Sequence, residues 1–317
     1  MKKVAVVGAG NWGKNLVRTF FELDFLGAVV EASASLREEV TKQYPAIPVY
    51  ESIDWIKENP EIDGVVIATP AFTHYEVAKE CLLSGKDVFI EKPMTLSSRD
   101  GESLIEVARE NQCILMAGHL LLYQPAIQEI KKVIEAGGIG TVVSLHQQRL
   151  KLGRVRSVEN VLWSFGVHDL AVFLYLIGEE PVDVQSVGQS VIQQSIEDDV
   201  YLHLTFPKGI KAHLHTSWLY PEVVRKLTVI GTEGMLVYDE VAQTVTLHRK
   251  GINSDLSNRD TGSQIIFQGE SKPLTIECQH FLDCMEKRVN PISDGENGVA
   301  VVKILERASN VEGEENE

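Results

Sequence analysis

A glycine-rich turn near the amino terminus constrains the fold more than any other feature of this chain. It has the sequence Gly8-Ala9-Gly10-Asn11-Trp12-Gly13 and directly follows an apolar run at residues 4–7. The β-branched run predicts a strand, and the amphipathic stretch at residues 15–23 predicts a helix. A strand, a glycine turn and a helix in this order are typical of a dinucleotide-binding crossover unit.

The three glycines of this turn have separate physical roles. Gly8 permits the tight turn, Gly10 lets the backbone approach a pyrophosphate, and Gly13 lets the helix pack against the strand. The amino terminus of the helix offers free N–H groups and the positive end of its dipole to the phosphates. We therefore expect the cofactor to contact the turn, through Gly8, Gly10, Asn11, Trp12 and Gly13. The alternative is a glycine-rich turn without a ligand.

The first third of the chain alternates short apolar runs with amphipathic stretches. Further strands are expected at residues 28–32, 64–68, 87–90 and 114–117, with helical stretches between them. Strands that alternate with helices form right-handed crossovers, which make a parallel sheet covered on both faces. Residues 1–119 are therefore predicted to form a doubly wound Rossmann domain.

The pattern changes after residue 120, so residues 120–317 are predicted to form a second, α+β domain. Its expected strands form a mixed, largely antiparallel sheet, at residues 141–150, 200–206, 210–218, 226–230, 235–239 and 244–249. Its expected helices flank that sheet, at residues 124–135, 164–177, 277–287 and 297–308. The polar residues 251–262 predict an exposed loop, and the acidic tail 311–317 is expected to fray.

Glu31 ends the second expected strand, and it predicts which dinucleotide is bound. A carboxylate at this position accepts hydrogen bonds from the adenosine ribose hydroxyls and repels a 2′-phosphate. NAD is therefore favoured over NADP. Arg37 lies within loop reach and leaves open an alternative in which it grips such a phosphate, and Glu31 is alternatively a solvated charge at the end of a strand.

Two further segments leave expected strands at the carboxyl edge of the sheet, where open parallel sheets bind their ligands. One is Ala68-Thr69-Pro70, followed by His74 as a cofactor neighbour, and the other is Glu91-Lys92-Pro93. Ala68, Thr69, Pro70, Glu91 and Lys92 are expected to contact the cofactor. A lysine at this edge can donate to a substrate hydroxyl or stabilise a developing alkoxide. The alternative is a surface lysine beside Glu91.

Composition excludes several classes of partner. The 30 Lys plus Arg and 45 Asp plus Glu give a net charge of −15, which repels nucleic acid and anionic membranes. The 4 cysteines include no C-x-x-C pair, so a reducing cytoplasm is expected and a metal site is not. No apolar run approaches the ~18–20 residues that span a bilayer.

Together these segments resemble the glucose-fructose oxidoreductase / inositol dehydrogenase (Gfo/Idh/MocA) family along essentially the whole chain. The Glu91-Lys92-Pro93 tripeptide is the most specific element, and a later Gly166-Val167-His168 on an expected helix agrees with it. The resemblance implies that Lys92 is catalytic or orients the substrate and that His168 is the proton acceptor. Relatives often carry Asp four residues before this histidine, where this chain has Ser164. His168 is alternatively a buried histidine that packs in its helix.

The segment before the histidine helix predicts an anionic substrate. Arg149, Lys151, Arg154 and Arg156 stand close together in an otherwise acidic chain. Guanidinium groups bind phosphate oxygens in a bidentate manner, although a solvated loop paired with Glu159 is the alternative. Tyr123, Ser164 and His168 complete the expected substrate contacts, with Lys92 and with Arg149, Arg154 and Arg156.

The segments 118–123 and 160–169 resemble the branch of the family that oxidises the 3-hydroxyl of UDP-N-acetylamino sugars such as UDP-N-acetylglucosamine. We therefore expect an NAD-dependent sugar dehydrogenase in which Lys92 and His168 meet over the nicotinamide. The alternatives are an NADP-dependent sugar ketoreductase and a non-catalytic, NAD-responsive binding or regulatory protein. An open sheet in the second domain also favours a homodimer or homotetramer.

Overall fold

The computed structural model describes residues 2–153, 155–270 and 272–309. The chain forms two compact units, of which the first contains Met1–Leu120 and Lys272–Lys303 and the second contains Leu121–Ser271 and the segment from Ile304 onwards. The predicted domain boundary lies between residues 119 and 120, and the division into units falls after Leu120. Residues 272–303, which the sequence placed in the second domain, group with the first unit.

The first unit contains a parallel sheet of the Rossmann type, which confirms the predicted fold class. Its strands lie in the order β3-β2-β1-β4-β5-β6. They are β1 (Val4–Val7), β2 (Leu26–Val30), β3 (Val49–Tyr50), β4 (Gly64–Ile67), β5 (Asp87–Glu91) and β6 (Leu115–Gly118). The helices between them are α1 (Gly13–Glu22), α2 (Ala34–Gln43), α3 (Asp54–Glu58), α4 (His74–Leu83) and α5 (Ser98–Glu110). All residues of β1, β4, β5 and the edge strand β6 are buried, as expected of a parallel sheet that is covered on both faces.

A late helix, α8 (Pro273–Lys287), returns to cover this sheet. The ring of Phe281 packs edge-on against Phe89 of β5, with centroids 5.7 Å apart. Met285 and Phe281 also lie over Gly64 of β4, so closely that a Cβ there would meet the Met285 Cε at 2.7 Å. Apolar contacts of this kind explain why the segment belongs to the first unit.

The second unit contains an eight-stranded sheet in the order β14-β13-β12-β11-β7-β10-β9-β8. Only the β7–β10 pair is parallel, so the sheet is mixed and largely antiparallel, as predicted. Its strands are β7 (Val142–Leu150), β8 (Asp183–Gln189), β9 (Asp199–Thr205), β10 (Lys211–Ser217), β11 (Val224–Gly231), β12 (Met235–Asp239), β13 (Thr244–Ile252) and β14 (Asn258–Gln268). The other helices are α6 (Pro125–Glu135), α7 (Val167–Ile177) and α9 (Gly295–Ser309), whose residues from Ile304 onwards belong to this unit.

The expected exposed loop at residues 251–262 is shorter in the structure, because residues 251–252 and 258–262 belong to the paired strands β13 and β14. Residues 253–257 form the exposed turn between these strands, and nearly all side chains of the segment are exposed as expected. The tail 311–317 lies outside the described residues. Among the helices of the described chain, none combines the length and apolar character needed to cross a membrane.

Candidate active site

The glycine turn adopts the geometry that its sequence predicts. Gly8 has a φ of +92°, and a Cβ at this position would lie 2.8 Å from the Ala68 carbonyl oxygen. A Cβ at Gly13 would overlap the Gly8 carbonyl oxygen, so the start of α1 is pressed directly against the turn. A Cβ at Gly10 would meet nothing within 4 Å. The turn is therefore closed where it packs and open at Gly10, where a pyrophosphate would approach.

Glu31 is bound to the turn from the end of β2. Its Oε2 accepts a hydrogen bond from the Ala9 backbone N–H at 2.7 Å, and its Oε1 accepts one from the Ser33 N–H at 2.8 Å. Each carboxylate oxygen has a second lone pair, so these bonds orient the group and leave acceptor capacity. This geometry suits an acceptor for the ribose hydroxyls.

Arg37 is engaged by protein groups. Its guanidinium donates to the carbonyl oxygens of Glu31 and Ala32, at 2.9 and 2.6 Å, and forms an ion pair with Glu51 at 3.1 Å. Gripping a 2′-phosphate would require Arg37 to leave these partners, and the two carboxylates would repel that phosphate. The local charges therefore favour NAD.

A cleft with a volume of about 340 Å³ lies beside this turn. Its walls come from the carboxyl ends of β1, β2 and β4 and from the loops that follow them, and include Gly8, Gly10, Glu31, Ala68, Thr69 and Pro70. Leu36, Glu51 and Ile53 also line it and were not expected from the sequence, since single side chains in α2 and before α3 carry no motif. The residues present fit the adenosine half of a dinucleotide.

His74 joins the two other segments at this edge. Its ring is 1% exposed, with Nε2 at 2.9 Å from the Thr69 carbonyl oxygen and Nδ1 at 2.9 Å from that of Pro93. Burial lowers the pKa of His74, although the carbonyls oppose that shift. In the structure His74 therefore holds the loop after β4 against the loop after β5, and its position beside the cofactor stays a prediction.

Glu91 connects the lysine segment to the glycine turn. The Trp12 indole N–H donates to its Oε1, and the Lys92 backbone N–H donates to its Oε2 at 3.3 Å. Burial is the main influence on the pKa of Glu91 and raises it. Trp12, Glu91 and Lys92 were each predicted as cofactor contacts, and the structure shows in addition how the first two are joined. Asn11 is exposed in the glycine turn, directly before Trp12.

His168 and Ser164 belong to the second unit. A π-helical turn at Leu162–Gly166 leads directly into α7, which places His168 at the second residue of that helix and leaves it partly buried. Ser164 lies within the π-helical turn and is buried. The helix was expected to begin near Ser164. π-Helical turns are rare and concentrate at functional sites.

Arg149 lies in a buried ionic network rather than in an open basic loop. Its guanidinium binds both carboxylate oxygens of Asp169, at 2.7 and 2.9 Å, and an oxygen of Glu240 at 3.0 Å. Arg225 binds the other oxygen of Glu240 at 2.9 Å. The Arg149 side chain is only 9% exposed, so its charge is neutralised inside the unit. This geometry supports a structural role, and its contact with substrate stays a prediction.

The remaining expected substrate residues occupy different environments. Arg156 is half-exposed and forms an ion pair with Glu159 at 3.5 Å, as in the alternative interpretation of this loop. Arg154 lies outside the described residues. Tyr123 is 2% exposed, at the end of the 3₁₀ turn that follows β6. In the described part of the chain, no group of three or more His, Cys, Asp or Glu is placed to hold a metal ion.

Models of two domain families match the chain. Residues 2–119 match the "Oxidoreductase family, NAD-binding Rossmann fold" model of Gfo/Idh/MocA proteins. Residues 127–237 match the "GFO/IDH/MocA C-terminal domain" model.

Individual relatives agree with this assignment. UDP-N-acetylglucosamine 3-dehydrogenase of Acidithiobacillus ferrooxidans is 26% identical over 95% of this chain and 94% of its own length. Its solved structure matches 97% of both chains with a TM-score of 0.87. The scyllo-inositol 2-dehydrogenase (NAD(+)) of Bacillus subtilis is 26% identical over 92% of this chain and 88% of its own length. Levoglucosan dehydrogenase in complex with NADH, which is 18% identical and covers 98% of this chain and 97% of its own, has the same fold with a TM-score of 0.85.

Proposed function

Because the chain belongs to the Gfo/Idh/MocA family of NAD-binding oxidoreductases, we propose that it oxidises a secondary hydroxyl of a sugar. The substrate is a nucleotide-linked N-acetylamino sugar of the UDP-N-acetylglucosamine type, and the hydroxyl is at C3. One observation carries this choice, which is the similarity to a UDP-N-acetylglucosamine 3-dehydrogenase over 95% of this chain.

The proposed chemistry uses one residue from each unit. His168 takes the proton of the substrate hydroxyl as general base, and the Lys92 ammonium donates a hydrogen bond to the same oxygen as negative charge develops. NAD, when bound, supplies the acceptor for the hydride that leaves the carbon. Gly8, Gly10, Gly13 and Glu31 hold the cofactor in this scheme, with Trp12 and Glu91 ordering the turn.

The assay follows the absorbance of reduced nicotinamide while the purified protein is incubated with NAD and a panel of nucleotide sugars. A trap or a keto-acid recycling system is included, because an unfavourable oxidation stalls after one turnover. His168→Asn and Lys92→Met should each lower kcat by about 10²–10⁴-fold with little change in NAD affinity. Glu286→Gln, at an exposed position of α8, is the control. Wild-type rates in His168→Asn would contradict the mechanism.

A cyclic polyol is the competing substrate class, and the similarity to scyllo-inositol 2-dehydrogenase favours it. The panel therefore includes myo- and scyllo-inositol without a nucleotide. Turnover of inositol but not of nucleotide sugars would replace the substrate assignment and leave the roles of His168 and Lys92 intact. Reduction of a keto sugar with NADPH would support the ketoreductase alternative, and NAD binding without any turnover would support a regulatory protein.

The proposed oligomer is a homodimer or homotetramer built on the outer face of the second sheet. Val187 and Tyr201 are directly paired on this face, and they are 69% and 47% exposed. Light scattering after size exclusion should give a multiple of 35.2 kDa. Tyr201→Asp should shift the mass toward the monomer, because it places a charge in the interface. A monomeric wild-type protein would refute the proposal.

A further inference from the structure

One buried acid of the first unit is not used by the proposed chemistry. Glu277 of α8 is 0% exposed, and neither of its carboxylate oxygens has a hydrogen-bond partner in the part of the chain that the structure describes. An ionised carboxylate in such surroundings would be costly, because burial without compensation disfavours the charged form.

The packing of α8 places this acid beside Glu91. Glu277 precedes Phe281 by one helical turn, so both side chains lie on the same face of α8. Glu91 follows Phe89 by two residues, so both side chains lie on the same face of β5. The rings of Phe281 and Phe89 are in contact, and Glu277 and Glu91 follow on the same two faces, near enough for the charge of Glu91 to act on the Glu277 carboxyl. Gly118 on β6 leaves space for the Glu91 side chain, since a Cβ at this position would lie 3.2 Å from the Glu91 Cδ.

The hydrogen bonds of Glu91 identify which partner keeps the charge. Glu91 accepts from the Trp12 indole and from the Lys92 backbone N–H, and both bonds favour its carboxylate form. Glu277 has no comparable donor among the described residues. When two carboxyl groups share a buried site, one of them remains protonated.

We infer that Glu277 is a neutral carboxylic acid that forms, with Glu91, a buried pair carrying a single negative charge. In this pair Glu277 is a positioning residue, because a second charge beside Glu91 would displace it from Trp12 and Lys92. The pair would thereby hold the glycine turn and the lysine segment together below the cofactor, and loosen them when it loses its proton. The inference concerns the first unit and does not depend on which sugar is the substrate.

The other titratable groups around the pair agree with this assignment. Burial, with Glu91 adding to it, raises the pKa of Glu277 well above its usual range. Burial and the two acids raise the pKa of the neighbouring Cys278 thiol, which is therefore neutral. The Lys92 ammonium acts on Glu91 and lowers its pKa, against the effect of burial. Burial together with that ammonium lowers the pKa of His119 to about 3.

The pH dependence of stability tests the inference directly. The unfolded chain releases the Glu277 proton near its ordinary pKa of about 4.3, whereas the folded state keeps it. Unfolding therefore releases a proton above about pH 4.3, and stability falls as the pH rises until the folded acid ionises. Glu277→Gln removes this release. Its Tm should be close to that of the wild type near about pH 4.5 and exceed it by a margin that grows toward about pH 8.

Glu286→Gln is the matched control, because it makes the same chemical change at an exposed position of the same helix. Its Tm should differ from that of the wild type by an amount that does not depend on pH. The Kd for NAD, measured by calorimetry, should rise severalfold for the wild type at alkaline pH and stay flatter for Glu277→Gln. A pH-independent Tm difference for Glu277→Gln would overturn the inference.

Infrared spectroscopy gives a second readout that does not require the variant to be stable. The wild-type protein at neutral pH should show the C=O stretch of a protonated carboxylic acid, which disappears at alkaline pH. The wild-type minus Glu277→Gln difference spectrum should assign this band to Glu277. Absence of the band from the wild type would overturn the inference even if the proposed dehydrogenase activity were found.

Discussion

At the scale of single residues, Glu31 has one observed role, in the packing of the glycine turn, and one proposed role, in binding the cofactor. It accepts hydrogen bonds from two backbone N–H groups, which fixes the glycine turn against the end of β2. It also presents its remaining lone pairs to the cleft, where ribose hydroxyls would donate. Hydrogen bonds to a charged acceptor contribute about 1.5–3 kcal/mol each. Loss of the Glu31 carboxylate should therefore lower the affinity for the cofactor measurably.

Glu31→Ala is expected to raise the Kd for NAD by about tenfold or more, since about 1.4 kcal/mol corresponds to one factor of ten. Calorimetric titration with NAD measures this, and titration with ADP-ribose should give the same ratio because the lost contact lies in the adenosine half. Glu39→Ala, at an exposed position of α2, should bind NAD as the wild type does. An unchanged Kd for NAD in Glu31→Ala would show that Glu31 does not bind the ribose.

At the scale of secondary-structure elements, the buried ionic network joins three parts of the second unit. Arg149 comes from β7, Asp169 from α7, and Glu240 from the turn after β12. Burial favours the neutral form of Glu240, but the two arginines outweigh it and lower its pKa. At Asp169 burial outweighs the contact with Arg149 and raises the pKa of that carboxyl. The arginines therefore keep Glu240 charged, and their hydrogen bonds hold the histidine helix against the sheet.

Arg149→Met is expected to destabilise the protein by about 3–5 kcal/mol, because it leaves the buried Asp169 carboxylate without its cation and Glu240 with Arg225 alone. Urea unfolding measured by circular dichroism provides the comparison. Arg156→Met should change stability by less than about 1 kcal/mol, since its ion pair is exposed to solvent. If Arg149→Met kept its stability and lost only affinity for substrate, Arg149 would instead be a substrate ligand.

The burial of individual helices and strands explains why most of them were predictable from the sequence and others were not. Buried strands such as β1 and β4 are continuous apolar runs, and the glycine turn identifies the helix that follows, so both were predictable. Strand β3 has only 2 residues, and β14 is exposed along most of its length, so neither has a periodic pattern. The burial of Glu277 could not be predicted from the sequence either, because an acid in an amphipathic helix is normally assigned to the solvent face.

At the scale of the whole molecule, the first unit is assembled from two separate stretches of chain. Residues 272–303 contribute α8 and the first part of α9, and Ser293 on the connection between them exchanges hydrogen bonds with Ala117 of β6 at 2.6 and 2.7 Å. Burial of a large apolar side chain contributes about 1.5–3 kcal/mol. The burial of Phe281, Met285 and Val299 thus contributes roughly 5–9 kcal/mol, comparable to the total stability of a domain, about 5–15 kcal/mol.

A fragment of residues 1–120 is therefore expected to be unfolded or molten and to bind NAD weakly. The same fragment joined through a flexible glycine-serine linker to residues 272–303 should unfold cooperatively and bind NAD with a Kd near that of the full protein. Calorimetry and near-ultraviolet circular dichroism distinguish the two. Native NAD affinity in the fragment that ends at residue 120 would show that α8 is dispensable.

The return of α8 also affects how the protein emerges from the ribosome. About 150 residues separate the end of β6 from the helix that covers its sheet, and translation at about 5–20 residues per second needs about 8–30 seconds to make them. During this interval the apolar surface beneath Phe281 and Met285 is bare on the nascent chain. A trigger-factor type of chaperone should therefore stay bound longer to this protein than to a Rossmann domain that is continuous in sequence, and ribosome profiling of chaperone-bound chains can measure that delay.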